Sequence, residues 1–184
     1  MYDRWLRKDL VIAGAVLMSL ALWSIPSPTR ADPLEPPSDA PGGIAFEAGN
    51  RVFLIVHAVG TQNYTCTGAG TWGPAVPRAD LFADNDHQIG THYGGPTWQL
   101  KDGSKVLRMR LAGVSMSTDA IPWLLIKAVT TTAGPDGDRL VPTTFIQRVH
   151  TTGGLPPAGP CSPGATVSVP YTADYYFYRS STGN

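Results

Sequence analysis

The chain has 184 residues, with 14 Lys and Arg against 14 Asp and Glu, so its formal net charge at pH 7 is zero. A nucleic-acid-binding protein usually carries a basic stripe, and Arg108 and Arg110 alone do not make one. The 20 Gly and 17 Pro fall between short apolar segments, which favours an all-β design over a helical or α/β one.

The N-terminus has the organisation of a secretory signal peptide. Basic residues precede an apolar run over residues 10–23, which is too short to cross a bilayer as a helix, and small residues follow up to Ala31. We therefore predict that residues 1–31 form a signal-peptide helix that is cleaved; an uncleaved anchor is the alternative. Export in this way predicts a secreted or periplasmic protein that meets the membrane only during export.

Residues 32–45 are rich in proline and lack apolar periodicity, so we predict an extended linker there, with the folded domain beginning near Ile44. Residues 46–180 are predicted to form one antiparallel all-β domain, either a β-sandwich or a barrel-like fold with long Gly- and Pro-rich loops. The spacing of the apolar runs favours roughly seven to nine strands.

The clearest local signal lies in residues 90–111. Asp102-Gly103 separates two alternating segments and predicts a hairpin, because the tight turn needs a positive φ that glycine tolerates. In the second segment Leu107, Met109 and Leu111 share one face, and the alternation predicts that this face is buried.

Further strands are predicted at residues 51–59, 64–67, 121–130, 143–150 and 166–178. The first is almost continuously apolar, which predicts a central strand covered on both faces. Pro170 marks the last as an edge strand or a bulged one, because proline cannot donate a hydrogen bond to a ladder.

Two cysteines remain after the leader, Cys66 and Cys161. In an oxidising compartment they are predicted to form one disulfide, which would close a long loop between the first and last parts of the domain. A catalytic thiol is the alternative, although neither cysteine stands in a C-x-x-C pair or beside a histidine.

Aromatic residues beside Gly- and Pro-rich corners are the candidates for ligand binding: Tyr64, Trp72, Tyr93 and Trp98. A flat ring at such a corner can be presented to a sugar or to another planar ligand. The alternative is that the rings close the ends of the core.

A cluster of polar residues lies between residues 84 and 92. Its carboxylates and imidazoles could bind a divalent metal such as zinc or copper: Asp84, Asp86, His87 and His92. A polar turn is the alternative. The letters G-x-G-x-x-G occur at residues 68–73, but prolines follow and no helix can start there, so no dinucleotide cofactor is predicted.

Several long segments are similar to one known family. They are residues 59–66 (VGTQNYTC), 89–98 (IGTHYGGPTW), 121–128 (IPWLLIKA), 146–154 (IQRVHTTGG) and 169–178 (VPYTADYYFY). In this order they resemble the exported proteins grouped as domain of unknown function 3455. The resemblance implies export and supplies no catalytic residues.

Our leading interpretation is therefore a secreted or periplasmic, non-enzymatic β domain that binds a carbohydrate or a small ligand, with no resident cofactor. One alternative is a metal-dependent or hydrolytic enzyme that uses His87, His92 and nearby Asp residues. Another is a structural component of the cell envelope.

Overall fold

A computed structural model of the chain describes residues 32–182, so the predicted signal peptide lies outside the described residues. Among these residues, no helix is long and apolar enough to span a membrane. The regular structure is a 3-10 helix, Gly42–Ile44, followed by strands β1 (Asn50–Thr65), β2 (Val76–Phe82), β3 (Gln88–Tyr93), β4 (Thr97–Leu100), β5 (Lys105–Val114), β6 (Trp123–Thr132), β7 (Phe145–Gly153) and β8 (Thr166–Ser180). The fold is all-β, as predicted.

The eight strands form one antiparallel sheet that closes into a barrel. Each strand pairs with the next along the chain, and β8 returns to pair with β1. The β1–β8 ladder runs from Asn50 opposite Ser180 to Thr65 opposite Thr166. Closure satisfies the backbone of both terminal strands and leaves the sheet without an exposed edge.

Side chains that alternate along the strands fill the barrel interior, which is the main hydrophobic core. Its buried members include Leu54, Val56, Leu81, Trp98, Leu100, Val106, Ile126, Ile146, Tyr175 and Phe177. Burying each large apolar side chain contributes about 1.5–3 kcal/mol. These side chains pack the apolar part of the interior.

A second apolar layer lies outside the barrel and is covered by the segment before β1. Ile44 is fully buried there against Phe145 and Val149. Its carbonyl accepts a 2.8 Å hydrogen bond from Nε2 of Gln147. The part of the predicted linker around Ala40 and Ile44 therefore packs on the barrel.

The predicted hairpin is confirmed. Gly103 has a φ of +81°, in the left-handed region that a residue with a side chain rarely adopts. The Leu100 amide donates to the carbonyl of Ser104 across the turn, at 3.1 Å. This short connection joins β4 to β5.

The predicted burial of β5 is wrong. Leu107, Met109 and Leu111 are 41%, 50% and 45% exposed, whereas Arg108 on the other face is half-buried inside the barrel. The alternation is present, but its polar face points inward because this part of the interior is polar. Two register shifts in the β5–β6 ladder accompany the inversion.

Three further strand predictions differ from the structure. Residues 64–67 do not form a separate strand, because β1 continues to Thr65. Within β1, Leu54 and Val56 pack in the interior core, whereas Val52 and Ile55 pack in the outer layer. The predicted cover on both faces therefore holds for the first part of the strand, and Val59 further along is 55% exposed. Strands β2 and β3 were missed, since proline and charged residues interrupt the apolar pattern of β2 and β3 is short and mostly polar.

Pro170 lies in neither an edge strand nor a bulge of its own strand. It pairs with Thr61 on one side, and its carbonyl accepts the amide of Gly154 on the other, at 2.9 Å. Because β7 ends at Gly153, the ladder needs no donor from the proline nitrogen at this position. The irregularity falls on β7 instead, between Val149 and Thr152.

Candidate functional site

One end of the barrel is held by the predicted disulfide, and we call it the disulfide end. Cys66 follows β1 and Cys161 precedes β8, and their Cα atoms are 5.9 Å apart. The bridge joins the β1–β2 loop to the β7–β8 loop. Strands β1, β3, β5 and β7 end here, whereas β2, β4, β6 and β8 begin here.

The interior on the side of the disulfide end is polar, unlike the rest of the core. Arg108 and Arg110 come from β5, Arg148 from β7, and Tyr171 and Tyr175 from β8. Register places them on the inner face, because Arg108 pairs with Ala128 and Arg148 with Leu124, both of which belong to the interior core. We call this set, together with His92 and Trp98, the polar interior.

Four buried atoms of the polar interior have no hydrogen-bond partner within the described part of the chain: Trp98 Nε1, Arg108 Nε and the hydroxyl oxygens of Tyr171 and Tyr175. Burial, and after it the neighbouring Tyr175 hydroxyl, raise the pKa of Tyr171, so the two hydroxyls lie close enough to interact with each other. Leaving a buried polar group unpaired costs about 1–3 kcal/mol. Folded proteins contain few such groups, so four in one place make the polar interior the candidate site.

The polar interior carries positive charge without a matching carboxylate. Among residues 32–182, no Asp or Glu oxygen lies within 4.0 Å of Arg108, Arg110 or Arg148. Arg148 donates from Nε and Nη2 to the Pro122 carbonyl, at 3.1 and 2.7 Å, which fixes its guanidinium. Burial, followed by repulsion from Arg148 and Arg110, lowers the pKa of Arg108.

His92 adds no compensating charge to this site. Burial lowers its pKa to about 3; the hydrogen bond to the Thr97 carbonyl opposes this shift, and the charges of Arg148 and Arg108 reinforce it. The ring is therefore neutral near pH 7, with Nδ1 donating to that carbonyl at 2.9 Å. It stacks on Trp98 with ring centroids 4.2 Å apart.

Arg110 connects the polar interior to solvent. Its side chain is exposed, and its guanidinium lies over Gly113 next to Leu124. A Cβ placed on Gly113 would lie 2.5 Å from Nη2 of Arg110 and 2.8 Å from Cδ2 of Leu124. The glycine thus leaves the space in which this guanidinium rests.

The comparison with protein families covers most of the barrel. The family model described as a protein of unknown function (DUF3455) matches residues 47–179. The chain belongs to this family. No curated protein gave a significant match to the chain, and no solved structure did so either. The match spans β1 to β8, so the polar interior lies within the family domain.

The structure of this DUF3455 protein places the four predicted ligand-binding aromatics in separate environments. Trp98 and Tyr64 are 1% and 5% exposed, and the Tyr64 hydroxyl donates to the Gly154 carbonyl at 2.6 Å, so neither ring is an exposed platform. Trp72 is half-buried and pairs with Cys66 beside the disulfide. Tyr93 is half-buried on the outer face of the barrel.

The predicted metal ligands do not converge. His92 is inside the barrel, Asp86 and His87 are exposed at the turn between β2 and β3, and Asp84 bonds to His57 instead. Within residues 32–182, no group of three His, Cys, Asp or Glu side chains is arranged to hold a metal ion. The polar turn, which was the alternative, describes residues 84–87 better, because Asn85 Oδ1 accepts the His87 amide at 3.3 Å.

The sequence analysis missed a polar cluster on the outer face of the barrel, which we call the His–Asp chain. His57 bonds to Asp84 and to Asp174, at 2.9 and 2.7 Å. His150 bonds to the other oxygen of Asp174 at 2.7 Å and to Asp39 at 3.2 Å. Carboxylates only accept hydrogen bonds, so both nitrogens of each ring must donate, which requires imidazolium.

The carboxylates of the His–Asp chain stabilise the charged form of both histidines. Burial alone would lower the pKa of His57, but the hydrogen bonds that His57 donates to Asp174 and Asp84 outweigh burial and raise it. For His150 burial is likewise outweighed, by Asp174 and Asp39. Because Asp39 precedes the barrel, the chain also attaches the N-terminal segment to β7 and β8.

These pKa shifts predict that the folded protein loses stability at both high and low pH. Because the folded-state pKa values of His57 and His150 are raised, the His–Asp chain stabilises the folded protein fully below about pH 6.5. This stabilisation is lost as pH rises through the raised pKa values. His92 has a lowered pKa, so its contribution is present above about pH 6.5 and is lost as pH falls toward 3. We expect the melting temperature to decline on both sides of about pH 6.5.

Differential scanning calorimetry from pH 4 to 9 checks this expectation. Asp174→Asn should flatten the alkaline side alone, because it removes the shared acceptor of His57 and His150. Asp138→Asn is the control, since no hydrogen bond of the Asp138 side chain exists among the described residues. An alkaline decline that persists unchanged in Asp174→Asn would contradict the assignment. The effect should be modest, because the cluster is partly exposed.

Proposed function

We propose that this protein is an exported, non-enzymatic β-barrel domain that binds a small ligand in the polar interior at the disulfide end. The observation that carries the proposal is the set of four buried, unpartnered polar atoms on Trp98, Arg108, Tyr171 and Tyr175. Small eight-stranded barrels have an interior of the size that side chains fill or that one small ligand occupies. Here aromatic rings supply apolar contact and guanidinium and hydroxyl groups supply orientation.

Two further features support the exported and non-enzymatic parts of the proposal. The signal-peptide pattern and the Cys66–Cys161 disulfide both fit an oxidising compartment. Binding is favoured over catalysis because the convergent groups are hydrogen-bond donors. The single imidazole among them, His92, is buried with a pKa of about 3, so it is poorly suited to exchange protons near neutral pH.

Adjacent tyrosines on β8 provide a matched test. Tyr175 faces the polar interior with an unpartnered hydroxyl, whereas Tyr176 faces outward and is half-buried. In a thermal-shift screen of small carboxylates, phosphates and neutral sugars, we expect at least one compound to raise the melting temperature. Tyr175→Phe should reduce that response and leave the ligand-free protein as stable or more stable, because it removes an unpaired hydroxyl. Tyr176→Phe should leave the response unchanged.

An equal loss of response in both variants would argue against the interior site. A structural envelope component would show no response to any compound. A hydrolase would convert a responsive compound, which mass spectrometry of the mixture would detect.

A groove on the outer face of the barrel supports a second candidate function, carbohydrate binding. A groove of about 470 Å³ crosses β1, β2 and β3, and its lining includes Thr61, Arg78, Asp80, Thr91 and Tyr93. The Tyr93 hydroxyl donates to Gln99 Oε1 at 2.9 Å, which holds the ring in a defined orientation. An aromatic ring beside charged and hydroxyl side chains suits a sugar.

A glycan array tests the groove. A hit should be lost in Tyr93→Ala and kept in Tyr93→Phe, because the phenylalanine ring preserves the platform. Loss of the hit in Tyr175→Phe, with no effect of Tyr93→Ala, would move the sugar to the polar interior.

A further inference from the structure

We infer that the ligand of the polar interior is an oxyanion, a small molecule whose carboxylate or phosphate group is held by Arg108, Arg110 and Arg148. This inference rests on the proposed function, because it names the ligand class of the same site. Three independent features of the site point to an oxyanion: its charge, the donor character of its unpaired atoms and its access from solvent.

The first feature is uncompensated charge. Arg108, Arg110 and Arg148 are close enough that the latter two affect the pKa of the first through their charges. Guanidinium groups stay protonated in proteins, so their mutual repulsion cannot be relieved by loss of a proton. The carboxylates of the His–Asp chain lie on the outer face and already bond to two histidines. An anion in the polar interior would compensate this charge directly.

The second feature is the hydrogen-bond donor character of the unpaired atoms. Trp98 Nε1 and Arg108 Nε can only donate, and the hydroxyls of Tyr171 and Tyr175 can donate as well. A ligand that satisfies Trp98 Nε1 and Arg108 Nε must therefore present acceptors, which excludes a cation. A carboxylate or phosphate group offers several lone pairs, and a planar guanidinium fork matches both in two-pronged geometry. The aromatic rings beside it suit an organic group attached to the oxyanion.

The third feature is access. Arg110 is exposed while Arg108 is half-buried, so the guanidinium groups run from solvent into the barrel. Such an arrangement places positive charge at the surface, where it attracts an anion. Gly113 leaves the space in which Arg110 rests, so the position of this guanidinium can be changed without removing its charge.

Benzoate and benzamide are the test pair, because they share a shape and differ in charge; inorganic phosphate is the second oxyanion. Titration is followed by NMR of the Trp98 indole Nε1–H and by calorimetry at constant ionic strength. We expect benzoate or phosphate to shift the Trp98 signal and benzamide not to do so. A response to benzoate alone assigns a carboxylate, and a response to phosphate alone assigns a phosphate group.

Arg108→Gln should weaken oxyanion binding by about 10- to 100-fold, as expected for loss of a charge-assisted hydrogen bond. Arg51→Gln is the control, because Arg51 is exposed on β1. Gly113→Ala keeps all three charges and displaces the Arg110 guanidinium together with the Leu124 side chain, so it should weaken binding less than Arg108→Gln. It also keeps the inference testable if Arg108→Gln fails to fold.

The outcomes separate the inference from the proposed function. Binding of benzamide as tight as that of benzoate, with the Trp98 signal shifted by both, would overturn the oxyanion and leave the interior site standing. A Trp98 signal that no compound of the thermal-shift screen moves would overturn both. Oxyanion binding that Arg51→Gln weakens as much as Arg108→Gln would overturn the arginine assignment.

Discussion

Replacing Cys66 with serine is expected to lower the free energy of unfolding by about 2–5 kcal/mol, because the disulfide closes a loop of 95 positions in the unfolded chain. The loop before β8 depends on this bridge. Its side chains from residue 156 to 165 are exposed except that of Cys161, so little apolar burial holds it. Three backbone hydrogen bonds near the bridge remain: Cys66 to Ala165, Gly164 to Cys66 and Cys161 to Gly70, at 2.8, 3.0 and 3.0 Å.

Local loosening should therefore precede global unfolding in this variant. Hydrogen exchange should speed up first at residues 156–165, while β1 and β8 stay protected because they pair along their whole length. Urea unfolding measures the change in stability, and Cys161→Ser should lose the same amount, since either change breaks the same bond. Two cysteine variants of clearly different stability, or unchanged exchange at residues 156–165, would contradict this account.

Local chemistry made much of the fold predictable. The Asp102-Gly103 turn demands a positive φ, and Gly103 has it. The face of β8 that carries Tyr171, Ala173, Tyr175 and Phe177 is buried, in keeping with the period of two that a strand requires. The disulfide was predictable because only two cysteines lie in the folded domain. Each of these features depends on neighbours in sequence or on a unique pairing.

The inverted face of β5 shows where local pattern stops being informative. A period of two separates the side of Leu107 and Met109 from the side of Arg108 and Arg110, but it does not say which side faces inward. That choice is made by closure of the barrel, which places the arginines opposite Tyr175 of β8. Hydrophobicity alone predicted the opposite orientation, because it assumes an apolar interior throughout.

The candidate site was hidden for the same reason. Its groups come from five strands, β3, β4, β5, β7 and β8, and spacing along one strand cannot show that they converge. One signal was present: Tyr171 and Tyr175 share the inward face of β8, so their hydroxyls had to find partners inside. The His–Asp chain was less accessible still, because His57 and Asp174 become neighbours only through the β1–β8 register.

Trp98→Ala is expected to cost about 3–5 kcal/mol of stability, the range for deleting a large aromatic side chain from a core. Trp98 is 1% exposed and contacts three aromatic rings. It stacks on His92, and it meets Tyr175 and Phe177 edge-on at centroid distances of 5.2 and 6.2 Å. Its removal leaves a cavity between β3, β4 and β8 that these rings can fill only in part.

Trp98→Phe separates the ring from its polar atom. Phenylalanine keeps most of the stacking on His92 and removes Nε1, whose unpaired N–H is a cost in the ligand-free protein. We therefore expect a much smaller loss of stability than for Trp98→Ala in urea unfolding, together with weaker binding of any ligand that accepts from Nε1. Equal destabilisation by both substitutions would mean that Nε1 is satisfied in the ligand-free protein, and Trp98 would then be a core residue without a role in binding.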